Sequence, residues 1–267
     1  MLECCKNRIN LGRISALFAG ADRTGAVSRV RHERSVRLLG ACVGLVLTLI
    51  VPVLTCECAN AEVYDSFQGP GIDADKWLVD GDGFSQPGDG FLHFSTHGHA
   101  LQMLVSKAVF SSGVFTIFFR DYSCNNNAPT NVQRGSIVAL GLGVRGNWVR
   151  IERGQVQEYP NGYGGGYVEA NWVVPGEALT HLNSTPWRVA SGSLQIRYDG
   201  VHVDFFYRDS KATTWTQLGR TGLTPGWITP VPLFIMASPG GRPSDRYTLS
   251  FKLDRVEVEP IPDAGSQ

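Results

Sequence analysis

The chain of 267 residues balances 24 Lys and Arg against 24 Asp and Glu, and that net zero conceals two unlike pieces. Residues 1–61 hold eight Lys/Arg, four Asp/Glu and none of the six Trp or eight Tyr, whereas residues 62–267 hold sixteen and twenty, with 26 of the 31 Gly. The second piece is too rich in aromatic and β-branched residues to stay disordered, and too acidic for the cationic surface through which nucleic acid is bound.

Arg34 and Arg37 precede the apolar run Leu38–Val51, which ends near Pro52, and Ala59-Asn60-Ala61 follows. A charged flank, an apolar centre of roughly 7–15 residues and an A-x-A site make up a secretory signal peptide. Residues 1–61 therefore read as a cleavable leader, which predicts a secreted or cell-envelope location and no transmembrane span in the mature chain. Two other readings stay open. One is a retained membrane anchor, although Pro52 and Glu57 cut the run short of the about 20 apolar residues a span needs. The other is a lipid anchor on Cys56. Only Cys124 lies beyond the leader, so neither an internal disulfide nor a cysteine zinc site is expected.

Beyond Ala61 no segment holds a period of 3.6, and the best helical candidate is the short Pro175–Leu182. Alternating or apolar runs dominate, punctuated by Gly, Pro, Asn and Asp. In chain order they are Val63–Phe67, Gly90–Ser95, Leu101–Val105, Gly113–Phe119, Ser136–Leu142, Trp148–Glu152, Tyr167–Val173, Gly192–Tyr198, Val201–Tyr207, Thr213–Leu218, Pro232–Ala237 and Tyr247–Val258. Short strands with regular turns predict an all-β antiparallel sandwich over residues 62–260, with 261–267 as a tail. Asp199-Gly200 reads as a two-residue hairpin turn. It would pair Tyr198 with Val201, Ile196 with Val203 and Leu194 with Phe205 on one apolar face.

The opening Val63-Tyr64-Asp65-Ser66-Phe67, then Gly71-Ile72-Asp73-Ala74-Asp75-Lys76-Trp77 and Gly90-Phe91-Leu92, resembles the first strands of concanavalin A-like lectins and glucanases. The ending Tyr247–Val258 is similar to their last strand. The resemblance spans most of residues 62–260. It implies a jelly-roll sandwich of two curved sheets, with a concave face that commonly holds carbohydrate. It also implies a possible structural calcium, with Asp65 and Asp254 as its carboxylates, since hard oxygen ligands suit that ion. No other cofactor is expected to be required. Several enzymes of that superfamily carry a Glu-x-Asp-x-x-Glu strand, and this sequence has none.

Two strands present chemistry by alternation. Trp148, Arg150 and Glu152 share one side of theirs, opposite Val149 and Ile151. Tyr167, Glu169 and Asn171 share one side of the other, opposite Val168, Ala170 and Trp172. An aromatic plane for the sugar ring, beside charged and amide groups for its hydroxyls, is the composition of a saccharide site. Arg120 would join it for an acidic ligand, and the Gly/Tyr loop Tyr159–Gly166 would shape its edge. The other reading of both strands is a solvated sheet face. His93, His97 and His99 share parity but lack a nearby carboxylate or Cys, and read as strand-end residues ahead of a metal site.

The expectation is a secreted carbohydrate-binding sandwich. A first alternative is a glycan-cleaving enzyme on the same fold. As a hydrolase it would use Glu152 and Glu169, provided their strands are adjacent. As a polysaccharide lyase it would use Tyr167 with Arg150, Arg120 or Asn171. A second alternative is a structural or adhesive envelope protein.

Overall fold

The computed structural model describes residues 61–97, 101–125, 135–144, 146–156, 165–173, 179–223, 227, 229–240 and 247–261. Every regular element among them is a strand. In chain order these are β1 (Glu62–Asp65), β2 (Trp77–Asp80), β3 (Phe84–Ser85), β4 (Leu92–His97), β5 (Gln102–Phe110), β6 (Gly113–Cys124), β7 (Ser136–Val144) and β8 (Asn147–Val156). Then follow β9 (Gly165–Val173), β10 (Thr180–Pro186), β11 (Gly192–Tyr198), β12 (His202–Asp209), β13 (Thr216–Gly222), β14 (Val231–Ser238) and β15 (Thr248–Glu259). One sheet of eight strands runs β13-β12-β11-β6-β15-β4-β3, with β1 also paired to β15. The other, of seven, runs β10-β9-β8-β7-β14-β5-β2. All pairings are antiparallel.

Strict alternation on both sheets builds the core between them. Phe115, Ile117, Ile196 and Phe251 from one sheet meet Leu140, Val149, Ile151 and Ile235 from the other, all essentially without exposure. At the entry to the fold, buried Asp65 accepts hydrogen bonds from the Phe67 N–H (2.9 Å) and from the Trp77 indole Nε1–H (2.7 Å). The first bond holds Phe67, itself fully buried, at a left-handed φ of 51°. Such a backbone conformation is uncommon outside glycine.

Each of the twelve expected runs overlaps a strand; β2, β3 and β10 are additional. The helical candidate Pro175–Leu182 is overturned, because Thr180–Leu182 belong to β10, an edge strand on β9. Thr180, Ser184 and Thr185 are weak helix formers and gain a hydrogen-bonded partner as strand; residues 175–178 lie outside the described residues.

The hairpin differs from expectation in register. Tyr198 pairs with Val203, Ile196 with Phe205 and Leu194 with Tyr207, a shift of two residues. Asp199 Oδ1 accepts the N–H groups of Val201 (2.9 Å) and His202 (2.6 Å), which widens the turn and leaves Val201 60 % exposed at its tip. A slip of two, unlike a slip of one, leaves every side chain on its own face. The apolar face is therefore the expected one.

Candidate active site

β8 and β9 are neighbours, and their register sets Glu152 directly opposite Glu169, Arg150 opposite Asn171, Trp148 opposite Val173 and Gly154 opposite Tyr167. The six residues singled out on these strands consequently share the outer face of the seven-stranded sheet, while Val149, Ile151, Val168 and Ala170 point into the core. The condition for a Glu152–Glu169 pair is met.

Around the pair the polar groups form one network. The Tyr167 hydroxyl donates to Glu152 Oε1 at 3.2 Å. Arg150 Nε lies 2.8 Å from Glu152 Oε2, an ion pair whose angle falls outside hydrogen-bond geometry, and the guanidinium carbon sits 4.8 Å from the Trp148 ring centroid. Asn171 Nδ2 donates to Glu169 Oε1 at 2.8 Å, and His181 Nδ1 lies 3.0 Å from the same oxygen. Two glycines make room for rings laid flat on this face. A Cβ at Gly154 would stand 2.1 Å from the Tyr167 ring, and one at Gly141 would stand 2.1 Å from the Phe234 ring.

The cluster is dry. Glu152 and Glu169 are 3 % and 5 % exposed, whereas the His181 side chain is 51 % exposed. Burial pushes the Glu152 carboxyl above the ordinary range; Arg150 opposes this, and the neighbouring Glu169 charge adds to it. The bond to Glu169 raises His181. Burial, with the negative charge of Glu152 nearby, holds the Tyr167 phenol well above its usual value.

His181 was missed in the sequence because it lay within the helical candidate. The alternation Thr180-His181-Leu182 would have identified it. Beside the polar network the same face carries an apolar cluster that was also missed, including Met103, Val105, Phe234 and Met236. Met236 Sδ accepts from Arg150 Nη1 at 3.3 Å.

Other expectations fall elsewhere. Arg120 does not join the site: it lies on β6 of the opposite sheet, ion-paired with Asp254 and 4.8 Å from the Phe91 ring centroid. Alternation on β6 turns it away from the core and away from the seven-stranded sheet. The calcium pair does not fit either. Both Asp65 oxygens are taken by N–H donors, and a cation at Asp254 would sit against the Arg120 guanidinium. Among the described residues no group of three or more His, Cys, Asp or Glu is arranged to hold a metal. His93 pairs with Asp89 at 2.8 Å, and His99 lies outside the described residues, as do residues 159–164 of the Gly/Tyr loop. No helix of the described residues is long and apolar enough to cross a membrane.

The architecture has counterparts among solved structures. The GH43 BlXynB protein from Bacillus licheniformis matches with a TM-score of 0.55 at 14 % identity, over 74 % of this chain and 39 % of that one. LamAcat from Zobellia galactanivorans matches at 0.51 and 15 %, over 76 % of this chain and 98 % of that one. This protein has the concanavalin A-like fold. A prokaryotic beta-1,3-1,4-glucanase (lichenase) from a mouse hindgut metagenome matches at 0.50 and 12 %, over 74 % and 98 %. The match thus spans nearly the whole of LamAcat and of the lichenase, but well under half of the GH43 protein. No family model and no curated protein matches the sequence.

Proposed function

We propose that the chain is a glycan-cleaving enzyme, a hydrolase that works through Glu152 and Glu169 on the outer face of the seven-stranded sheet. The observation that carries this is the in-register pairing of the two carboxyl groups. Directly opposed residues of an antiparallel pair have Cβ atoms about 4.5–5.5 Å apart, which suits the separation of about 5–5.5 Å used for retention of configuration. Glu152, whose carboxyl burial pushes upward, is the member of the pair suited to act as the acid. It protonates the glycosidic oxygen as that C–O bond breaks. Glu169, oriented by Asn171 and His181, attacks the anomeric carbon and forms the glycosyl ester. Water, giving its proton to the Glu152 carboxylate, then displaces Glu169. Arg150 and Asn171 would hold sugar hydroxyls.

The fold shared with LamAcat and the lichenase supports a glycan as substrate, and the leader sequence supports a site of action outside the cytoplasm. The test is reducing-end release from a panel of β-glucans and xylans by the full chain. Product that disappears in Glu152→Gln and Glu169→Gln supports the proposal, and glycan binding without product overturns it.

A second reading, a saccharide-binding domain without turnover, is favoured by the burial of both acids, by the lack of a Glu-x-Asp-x-x-Glu strand, and by the match to only 39 % of the GH43 protein. Binding that survives both Gln variants, with no product from any chain, is its signature.

A further inference from the structure

Across the sandwich from the acid pair, the outer face of the eight-stranded sheet holds a groove of about 280 Å³. Its floor follows one row of side chains across four strands and ends at Trp215. β15 supplies Arg255, β6 Phe118, β11 Ser193 and β12 Arg208, each opposite the next in the ladder, and Trp215 enters just before β13. Gln195 and Thr116 flank the row, with Gln195 Nε2 donating to Thr116 Oγ1 at 3.0 Å.

The two guanidinium groups differ. That of Arg255 lies 3.8 Å from the Phe118 ring centroid and is spent on Glu257, Nε to Oε1 at 2.6 Å. That of Arg208 lies 4.6 Å from the Trp215 ring centroid and, among the described residues, has no carboxylate partner. Stacking fixes the plane of a guanidinium and leaves its N–H edge free, the arrangement that takes a planar anion through two parallel hydrogen bonds. Two carboxylates also line the groove: Glu257 is spent on Arg255, and Glu259 lies two residues further along β15, opposite Val114.

We propose that this groove is a second saccharide site, selective for an anionic sugar residue, with Arg208 taking the carboxylate or sulfate and Gln195 and Thr116 taking hydroxyls. The groove is near the low end of small-molecule sites, roughly 300–1,000 Å³, which suits one sugar unit and its charged substituent. It does not depend on the Glu152–Glu169 chemistry.

The test is titration calorimetry of the full chain with oligogalacturonate, with a sulfated galactan oligosaccharide and with a neutral β-glucan oligosaccharide. The expected result is binding of at least one anionic ligand that Arg208→Gln weakens by tenfold or more. The carboxylated and sulfated arms identify which anion is preferred. Arg208→Lys keeps the charge but not the fork and is expected to recover only part of the affinity. Arg197→Gln, exposed on the same face outside the groove, serves as control and leaves binding unchanged. An unchanged affinity in a folded Arg208→Gln, an equal loss in Arg197→Gln, or no anionic ligand bound, would each overturn the proposal. Glu152→Gln and Glu169→Gln are expected to leave this binding intact, so failure here and failure of the hydrolase reading are told apart.

Discussion

The two outer faces of this sandwich obey the same alternation and meet opposite fates. On the eight-stranded sheet the outward positions carry ion pairs open to water, such as Arg120–Asp254, Lys252–Asp121 at 3.9 Å and Arg220–Asp204 at 3.6 Å. On the seven-stranded sheet the outward positions of β5, β7, β8 and β14 are as dry as a core: Phe234 is fully buried, and Met103 and Met236 are 1–2 % exposed. Charge facing water costs little and contributes little. Charge in a dry layer must be paired or neutralised, which is why Glu152, Glu169, Arg150, Asn171 and His181 form one network. An outward polar residue on the eight-stranded sheet faces solvent or the open groove, whereas on the seven-stranded sheet it is a buried group that must find a partner.

The sharpest way to break this comparison is activity. Glu152→Gln and Glu169→Gln are expected to lower turnover by about 10²–10⁴-fold each, the range for removing a general acid or base. Reducing-sugar release, with thermal midpoints as a folding control, measures it; a loss of less than tenfold would make the pair structural. Next in size is packing. Phe234→Ala should cost about 3–5 kcal/mol, as for a buried Phe, whereas Phe206→Ala, half-buried on the other outer face, should cost roughly a third of that. Urea denaturation of both variants decides whether the outer layer of the seven-stranded sheet behaves as core.

Dependence on pH follows. The raised Glu152 carboxyl means that folding favours its protonated form. That contribution is full below the ordinary carboxylate pKa and fades as pH climbs through the raised value. His181 is also raised, so its contribution is full below the ordinary imidazole pKa and fades above it. Stability should therefore fall as pH rises through both windows. Glu152→Gln should flatten the lower one and His181→Gln the upper, read as thermal midpoint against pH. The smallest effect belongs to the open face. Arg120→Gln should change stability by about 0–1 kcal/mol and by still less in high salt. A calcium chelator should leave the midpoint of the wild type unmoved.

Much of the fold was legible because a period of two is a local signal. The runs around Phe115, Val149, Leu194 and Phe251 carry it without ambiguity. The hairpin at Asp199-Gly200 shows the limit: its faces were right and its register was two residues off, because the Asp199 side chain, capping two N–H groups, sets the turn length. β10 was misread because its opening Thr180–Leu182 carries no strong pattern of its own and becomes strand by pairing with β9. Of the site, both triads on β8 and β9 were visible as alternating polar faces. His181 was hidden by the helical reading, and Arg120 was assigned to the wrong sheet because parity gives a side, not a neighbour.

The sequence by itself determined which side chains share a face, since alternation is fixed by backbone geometry within each strand. Tertiary structure alone decided that Glu152 stands opposite Glu169, that His181 reaches the same oxygen as Asn171, and that this outward face is dry. Those facts depend on which strands are adjacent and on what excludes water above them, and both are properties of contacts between residues far apart in the chain.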